Sequence, residues 1–262
     1  MSLSLDTRRH EAVAPLARTL AAAWRDGNRL DPALVAGALP DAQAAFDTQH
    51  AVLDALGAGI GGWKVGGKGA DGPPQGAPLP DSALHPGGAR IVRDSAAPFG
   101  LELEIGFRFG RGFAPRAERY TEDEVLAAIA WMVPTIEVVT SRWTGWPEVE
   151  RFAQLADLQN HGALIVGEPV PYDARYPFVS PALSFRFAGE AAEPAATGSN
   201  PAVDPRRLLT WLVNHSAVER GIAVAPEQIM TTGSYIGMVF PAGRGRAEGR
   251  FDGLPPIRVE IA

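Results

Sequence analysis

The chain has 262 residues, no cysteine and a net charge of −6. The absence of thiols excludes disulfides, thiolate metal sites and a cysteine nucleophile. An acidic balance with no basic run argues against nucleic acid or an anionic membrane as partner. With 46% hydrophobic and 21% charged residues it reads as an ordinary globular chain, long enough to bury a core.

No apolar window reaches the length a bilayer needs. The opening MSLSLDTRRHE has no apolar signal core, so the cytoplasm is the default compartment. Glu11 to Arg25 predicts an amphipathic helix, with Val13, Leu16, Leu20 and Trp24 at helical spacing and Gly27 as the stop. A second helix is expected from the N-cap Asp41 to about Gly57, with Phe46, Gln49, Leu53 and Leu56 along one side. Ile60 to Val65 reads as a short strand that delivers Lys64. Gly66 to Pro78, dominated by Gly and Pro, reads as a loop, either a lid or a tolerated insertion.

Leu101 to Phe109, LELEIGFRF, alternates without a break. Leu101, Leu103, Ile105, Phe107 and Phe109 share one face of a strand, and Glu102, Glu104, Gly106 and Arg108 share the other. Thr121 opens a helix with a capping box to Glu124, expected to end near Trp131. Val133 to Val139, VPTIEVV, is an apolar run holding one charge, Glu137. Further on, a helix is expected over Pro147–Leu155, a strand over Ala163–Val166 and a loop over Glu190–Asn200. A helix is expected from Asp204 and Pro205 to Gly221, and the tail reads as short strands. Helices concentrate in the first fifty-seven residues and strands in the rest, which predicts an α+β fold. The expected division is a helical part with an active-site loop over 1–78 and a β-rich body over 79–262.

Three features could carry chemistry. The carboxylates of Glu102 and Glu104 project the same way, roughly 7 Å apart along the strand. Like charges so close belong either on a wet face or around a cation. Glu137 favours the cation, because a carboxylate inside an apolar strand needs a partner. Oxygen ligands without thiolate or adjacent His suit magnesium, manganese or calcium rather than zinc. Lys64, among apolar residues and glycines, is either a snorkelling strand-end side chain or an acid–base group with a lowered pKa near a cation. Thr231 to Gly237, TTGSYIG, is either a plain turn or a place where backbone N–H groups, such as that of Gly233, approach an anion. The His residues have no metal-ligand spacing. The chain lacks a nucleophile elbow, a P-loop and a dinucleotide fingerprint.

The order GWKVG, LPDSAL, LELEIGF, PTIEVVTSR, ADLQNHGALIVG, MTTGSYIGMV and FDGLPPIRVEI resembles the 2-keto-4-pentenoate hydratase and 4-oxalocrotonate decarboxylase branch of the fumarylacetoacetate hydrolase superfamily. The resemblance covers nearly the whole chain. It implies a β-rich roll of mixed sheets with a small helical N-terminal part. It implies Glu102, Glu104 and Glu137 as ligands of magnesium, or of manganese or calcium. It implies Lys64 and Asp81 as the proton-moving residues and Ser234 as the contact of the substrate carboxylate. The implied substrate is a small 2-oxo or 2-hydroxydienoic acid that reacts through a metal-stabilised enolate. The implied protein is a homo-oligomer, or a subunit that pairs with a paralogue. Hydration comes first among the reactions and decarboxylation of a 2-oxo diacid second. Hydrolysis of an acylpyruvate would need a His–Glu pair, for which His85 is a weak candidate. A non-catalytic metal-binding paralogue is the rival from another class. It is motivated by Asp157-Leu158-Gln159-Asn160, where the family usually reads Asp-Asn-Ala-Ser, and by Thr140, where it usually has Asp.

Overall fold

A computed structural model describes residues 5–35, 37–93, 97–188 and 196–262. The first helix, α1, runs over Leu5–Asp26, longer than its apolar pattern suggested. The second, α2, covers Ala42–Leu56. The Asp41 side chain accepts a hydrogen bond from the Ala44 N–H at 2.8 Å, and Gly57 ends the helix at φ 67°. Val13, Leu16 and Leu20 of α1 are buried with Val52 and Leu53 of α2, so the two helices share one apolar seam.

The chain then enters β1, Ile60–Gly66, and returns antiparallel as β2, Gln75–Pro80. The Gly- and Pro-rich loop expected up to Pro78 is therefore shorter. Its last residues are an edge strand, where proline is tolerated because one side of the ladder has no partner. The division expected between residues 78 and 79 falls inside this strand.

Two short strands follow, β3 (Leu84–Pro86) and β4 (Arg90–Ile91). The alternating stretch is β5, Gly100–Phe109. Helix α3 has the expected capping box between Thr121 and Glu124 but covers only Glu122–Leu126. From Ile129 to Val139 the chain is one long strand, β6. The helix expected to reach Trp131 stops early because Ile129 to Met132 pair with Phe107 to Phe109 of β5 and complete its ladder.

Next come α4 (Arg151–Ala156), β7 (His161–Val166), β8 (Val170–Pro171), β9 (Ala182–Phe187) and β10 (Ala196–Thr197). Much of the loop expected over Glu190–Asn200 lies outside the described residues. Helix α5, Arg206–Val213, continues as a π-turn to Glu219. The tail supplies β11 (Ile229–Thr231), β12 (Gly245–Phe251) and β13 (Ile257–Ile261).

The larger sheet has the order β2-β1-β11-β5-β6-β7-β3, with β8 beside β6, and the smaller has β10-β9-β12-β13-β4. Both mix parallel and antiparallel pairs. The fold is the expected α+β one. The apolar face of β5 is fully buried between the sheets. At Gly249 a Cβ would lie 2.4 Å from Leu103 Cδ1, so only glycine lets β12 come this close. The opposite face of β5 carries the two glutamates. No described helix is long and apolar enough to cross a membrane.

Candidate active site

The side chains of interest converge because four adjacent strands present one face. In the ladder, Lys64 of β1 lies beside Thr231 of β11, Thr231 beside Gly106 of β5, Glu102 beside Glu137 of β6, and Glu104 beside Thr135. Directly opposed residues project to the same side of a sheet. Lys64, Glu102, Glu104 and Glu137 are therefore gathered by register, although 73 residues separate Lys64 from Glu137.

One carboxylate oxygen from each of Glu102, Glu104 and Glu137 lies within 4.8 Å of the others. Glu137 is fully buried, Glu104 nearly so, and Glu102 is half-buried. The wet-face alternative for the E-x-E strand is therefore wrong for Glu104. Glu137 Oε1 accepts from Lys64 Nζ at 2.7 Å and pairs with His161 Nδ1 at 2.8 Å. Its Oε2 is buried without a hydrogen-bond partner. Glu104 Oε2 accepts from the Gly233 N–H at 2.7 Å and, more closely, from the Thr231 hydroxyl.

Burial and mutual repulsion push Glu102 up to about 8 and Glu104 up to about 7. For Glu137, burial opposes ionisation, but the charge of Lys64 and the His161 hydrogen bond hold its pKa below the usual value. Burial likewise opposes the Lys64 ammonium, but Glu137 and Glu102 overcome it and raise its pKa. Burial pushes His161 down, so its imidazole is neutral and Nδ1–H donates to Glu137. An orphaned buried oxygen in a set of three hard donors fits a dication such as magnesium, manganese or calcium.

A turn closes one side. Leu158, Gln159 and Asn160 have φ of 48°, 56° and 59°. Left-handed backbone costs an L-residue roughly 1–2 kcal/mol, so three in a row need outside support. Asp157 anchors the turn. It accepts from the Ser141 hydroxyl and the Arg142 N–H, each at 2.8 Å, and forms a still shorter ion pair with the Arg142 guanidinium. Arg142 also donates to the carbonyls of Asp157 and His161 at 2.8 and 2.6 Å. The turn aims the Gln159 carbonyl at Lys64 Nζ, 3.1 Å away. The unusual DLQN segment thus splits its work: Asp157 supports, while Gln159 and Asn160 line the cleft.

The cleft above these groups has a volume of ≈ 550 Å³, a size that suits a small ligand. Gly233 and Ser234 line it, as do Lys64, Glu102 and Glu104. Ser234 Oγ donates to the Gly237 carbonyl at 2.6 Å and accepts from the Ile236 N–H. Gly233 has φ 94°, which an L side chain would strain, and this conformation turns its N–H onto Glu104. Asn200 Nδ2 holds the carbonyls of Thr232 and Gly233 at 3.0 Å each.

Asp81 is not brought to this cluster. It is exposed in the turn after β2, with its N–H on the Gly59 carbonyl and its carboxylate on the Ser82 N–H. His85 is on β3, an outer strand of the sheet beside Ile165, and does not line the cleft. The His beside a site glutamate is His161. Its position at the start of β7, next to β6, is visible only once the strands are paired. Thr231, Gln159 and Asn200 were equally hidden, because each contributes one atom from a loop or a neighbouring strand.

No family model matches the chain. The 2-hydroxyhexa-2,4-dienoate hydratase of Comamonas testosteroni is 29% identical over 187 residues, 70% of this chain and 68% of the relative. The 2-keto-4-pentenoate hydratase of Paraburkholderia xenovorans is 28% identical over 165 residues, 62% of this chain. The match spans 58% of that relative, less than two thirds of its length. Among solved structures, 4-oxalocrotonate decarboxylase from Pseudomonas putida G7 with magnesium and adipate superposes with a TM-score of 0.78. It shares 20% identity, and the superposition covers 96% of this chain and 98% of that one. Its calcium and acetate complex gives a TM-score of 0.79. The chain shares its fold with these 4-oxalocrotonate decarboxylase structures. Its likeness to the hydratase–decarboxylase branch holds both in sequence relatives and in structural neighbours.

Proposed function

We propose that this chain is a divalent-metal-dependent enzyme acting on a small 2-oxo or 2-hydroxydienoic acid, and that it hydrates the dienoic acid. The observation that carries this reading is the carboxylate trio within 4.8 Å, with Lys64 hydrogen-bonded to one member, in a cleft of small-molecule size. The sequence relatives, both hydratases, favour hydration. Glu102, Glu104 and Glu137 hold the ion, with magnesium as first choice and manganese or calcium as alternatives. Bound there, a divalent ion supplies Lewis acidity to a 2-oxo acid.

The residues of the chain do the rest. Glu104 is oriented by Thr231 and Gly233, and Glu137 by Lys64 and His161, so the ligands are fixed in advance. Lys64 has three N–H donors; Glu137 and the Gln159 carbonyl take two. The third is available to the cleft, where it delivers a proton to the substrate or orients the water to be added. The small-residue turn around Ser234 receives the substrate carboxylate, and the Ser234 hydroxyl joins it by turning its proton away from the Gly237 carbonyl. Asp81, exposed in its turn, has no geometric support for a proton-moving part. In this reading the chain works in the cytoplasm as a homo-oligomer or paired with a paralogue.

Decarboxylation of a 2-oxo diacid is the second reading. It is favoured by the near-complete overlay on a 4-oxalocrotonate decarboxylase. The test is the chain mixed with magnesium and 2-hydroxypenta-2,4-dienoate. Loss of the dienol absorbance is expected. If neither this acid nor related 2-oxo acids turn over while metal still binds, the chain is a non-catalytic paralogue.

A further inference from the structure

Seven buried polar side-chain atoms lack a hydrogen-bond partner among the described residues, and four of them lie on Glu137 and on the successive residues Gln159, Asn160 and His161. With the His161 proton on Nδ1, all four are acceptors. The reading above gives Glu137 Oε2 an ion. It leaves the amide oxygens of Gln159 and Asn160, two residues that line the cleft, without a partner.

Of these two amides, that of Asn160 is fixed in orientation. Gln154 Nε2 donates to the Val149 carbonyl at 2.6 Å and to the Pro147 carbonyl at 3.3 Å, so Gln154 Oε1 is left as an acceptor. Asn160 Nδ2 donates to that oxygen at 2.8 Å. Reversing the Asn160 amide would set two acceptors face to face. Its backbone is anchored as well. The Asn160 N–H donates to the Asp157 carbonyl at 2.9 Å, and the Asn160 carbonyl accepts from the Thr140 N–H at 2.8 Å. The residue is only 7% exposed, so Oδ1 is a fixed, buried acceptor at the wall of the cleft. Buried carbonyls are satisfied in folded proteins, and here the donor has to come from the cleft.

The nature of the donor follows from what a 2-oxo acid offers. Its carboxylate and keto oxygens only accept, so neither pairs with an amide carbonyl. A water or a hydroxyl does, and hydration involves both. The dienol loses its O–H proton and gains a proton at C5. The oxygen of water then bonds to C4, a proton reaches C3, and the C3=C4 π bond breaks. One proton of the water stays on oxygen throughout and ends in the 4-hydroxyl. An amide carbonyl suits that proton, because it accepts a hydrogen bond without removing the proton.

We infer that the Asn160 side chain, oriented by Gln154, holds this retained O–H, first in the water to be added and then in the 4-hydroxyl of the product. The inference rests on the hydration proposed above and assigns the group that places its water. Because the acceptor is fixed, it favours one configuration at C4.

The test is calorimetric binding of 2-oxopentanoate and of each enantiomer of 4-hydroxy-2-oxopentanoate to the full chain, with and without magnesium. In the unaltered chain with magnesium, one enantiomer of the hydroxy acid is expected to bind about tenfold more tightly than 2-oxopentanoate. In Asn160→Gly that preference is expected to fall to about one, while magnesium affinity in the absence of acid is kept. Glycine readily adopts the φ of 59° found at this position, so the variant retains the turn. Asn160→Ser, whose shorter side chain withdraws the carbonyl, is the second variant and carries the same expectation. Equal, magnesium-dependent affinity for the hydroxy and deoxy acids in the unaltered chain overturns the inference and leaves the metal-dependent function standing. A preference that survives in either variant, shown folded by circular dichroism, also overturns it. Loss of magnesium affinity in the variants without acid assigns the carbonyl to the ion and overturns it as well. Absence of magnesium-dependent binding by any of the acids overturns both the inference and the function on which it rests.

Discussion

His161 Nδ1 stands 2.8 Å from Glu137 Oε1, and both side chains are fully buried. The imidazole ring stacks on Trp24 of α1, with ring centroids 6.2 Å apart, and the Arg142 guanidinium carbon lies 4.4 Å from the centroid of the same indole. The N-terminal helix therefore supports the site through a ring and a hydrogen bond. Partners that orient a ligand typically change metal affinity by about 10–100-fold. His161→Phe is expected to weaken magnesium binding within that range while the secondary structure is kept. Calorimetry beside circular dichroism checks this, and unchanged affinity would remove His161 from the support of Glu137.

Lys64 is the neighbouring case. Its ammonium is the cation that faces Glu137 directly, and breaking a buried pair costs about 3–5 kcal/mol because a charge is left uncompensated. Lys64→Met should lower the stability of the metal-free chain by that order, and magnesium should restore part of the loss. Turnover should fall by about 10²–10⁴, the usual share of a general acid or base. Urea melts with and without magnesium, read beside rates, separate the two effects. A variant of full activity would end the proposed part of Lys64.

The acid–base state of the trio sets a pH dependence. With Glu102 pushed to about 8 and Glu104 to about 7, the cation-free site holds protons at neutral pH. Metal must displace them, so magnesium affinity should rise as pH goes from about 6 to about 8, with protons released on binding. Titrations in buffers of different ionisation enthalpy measure that release. Affinity that is flat over this window would contradict the protonated cluster.

A second pH effect lies far from the metal. His50 sits beside Arg220 and His215 and near Trp63, and burial, reinforced by those two charges, pushes its pKa down to about 3. Unfolded His titrates near 6.5. Between these values the unfolded chain binds more protons, so stability should fall as pH drops from about 6.5 to about 3 and the loss should level off below. His50→Gln should flatten that acid limb. Denaturation midpoints at pH 7, 5.5 and 4.5 give the comparison, and equal slopes in both proteins would assign the acid sensitivity elsewhere.

Much of the molecule is legible in its sequence. The alternation in LELEIGFRF placed five side chains in the core and two glutamates opposite. Asp41 and Gly57 bracketed α2. The Glu102–Glu104–Glu137 grouping followed from charge in apolar surroundings, strengthened by family resemblance. What stayed hidden depends on pairing. Gln75 to Pro78, QGAP, looks like the end of a loop because proline and glycine dominate the stretch, yet it pairs with β1 as part of an edge strand. The helix from Thr121 is shorter than its sequence suggests because IAWM reads as helical in isolation, and the β5 ladder overrides that preference. His161 and the Gln159 carbonyl reach the site through a left-handed turn held by Arg142 and Asp157. No local pattern announces three such residues in succession. Only resemblance points to Asp81, and its exposed turn does not bring it to the cleft.

The metal itself is the point on which the rest depends. Manganese titrated into the unaltered chain and into Glu104→Gln, with free ion counted by electron paramagnetic resonance, tests it most directly. The glutamine can still accept from Gly233 and Thr231, so the variant keeps its local bonds and loses only charge. One tightly bound ion per chain is expected in the unaltered protein, with affinity lowered at least about tenfold in the variant. Equal binding by the two proteins, or no stoichiometric binding by either, would contradict a metal centre at Glu102, Glu104 and Glu137.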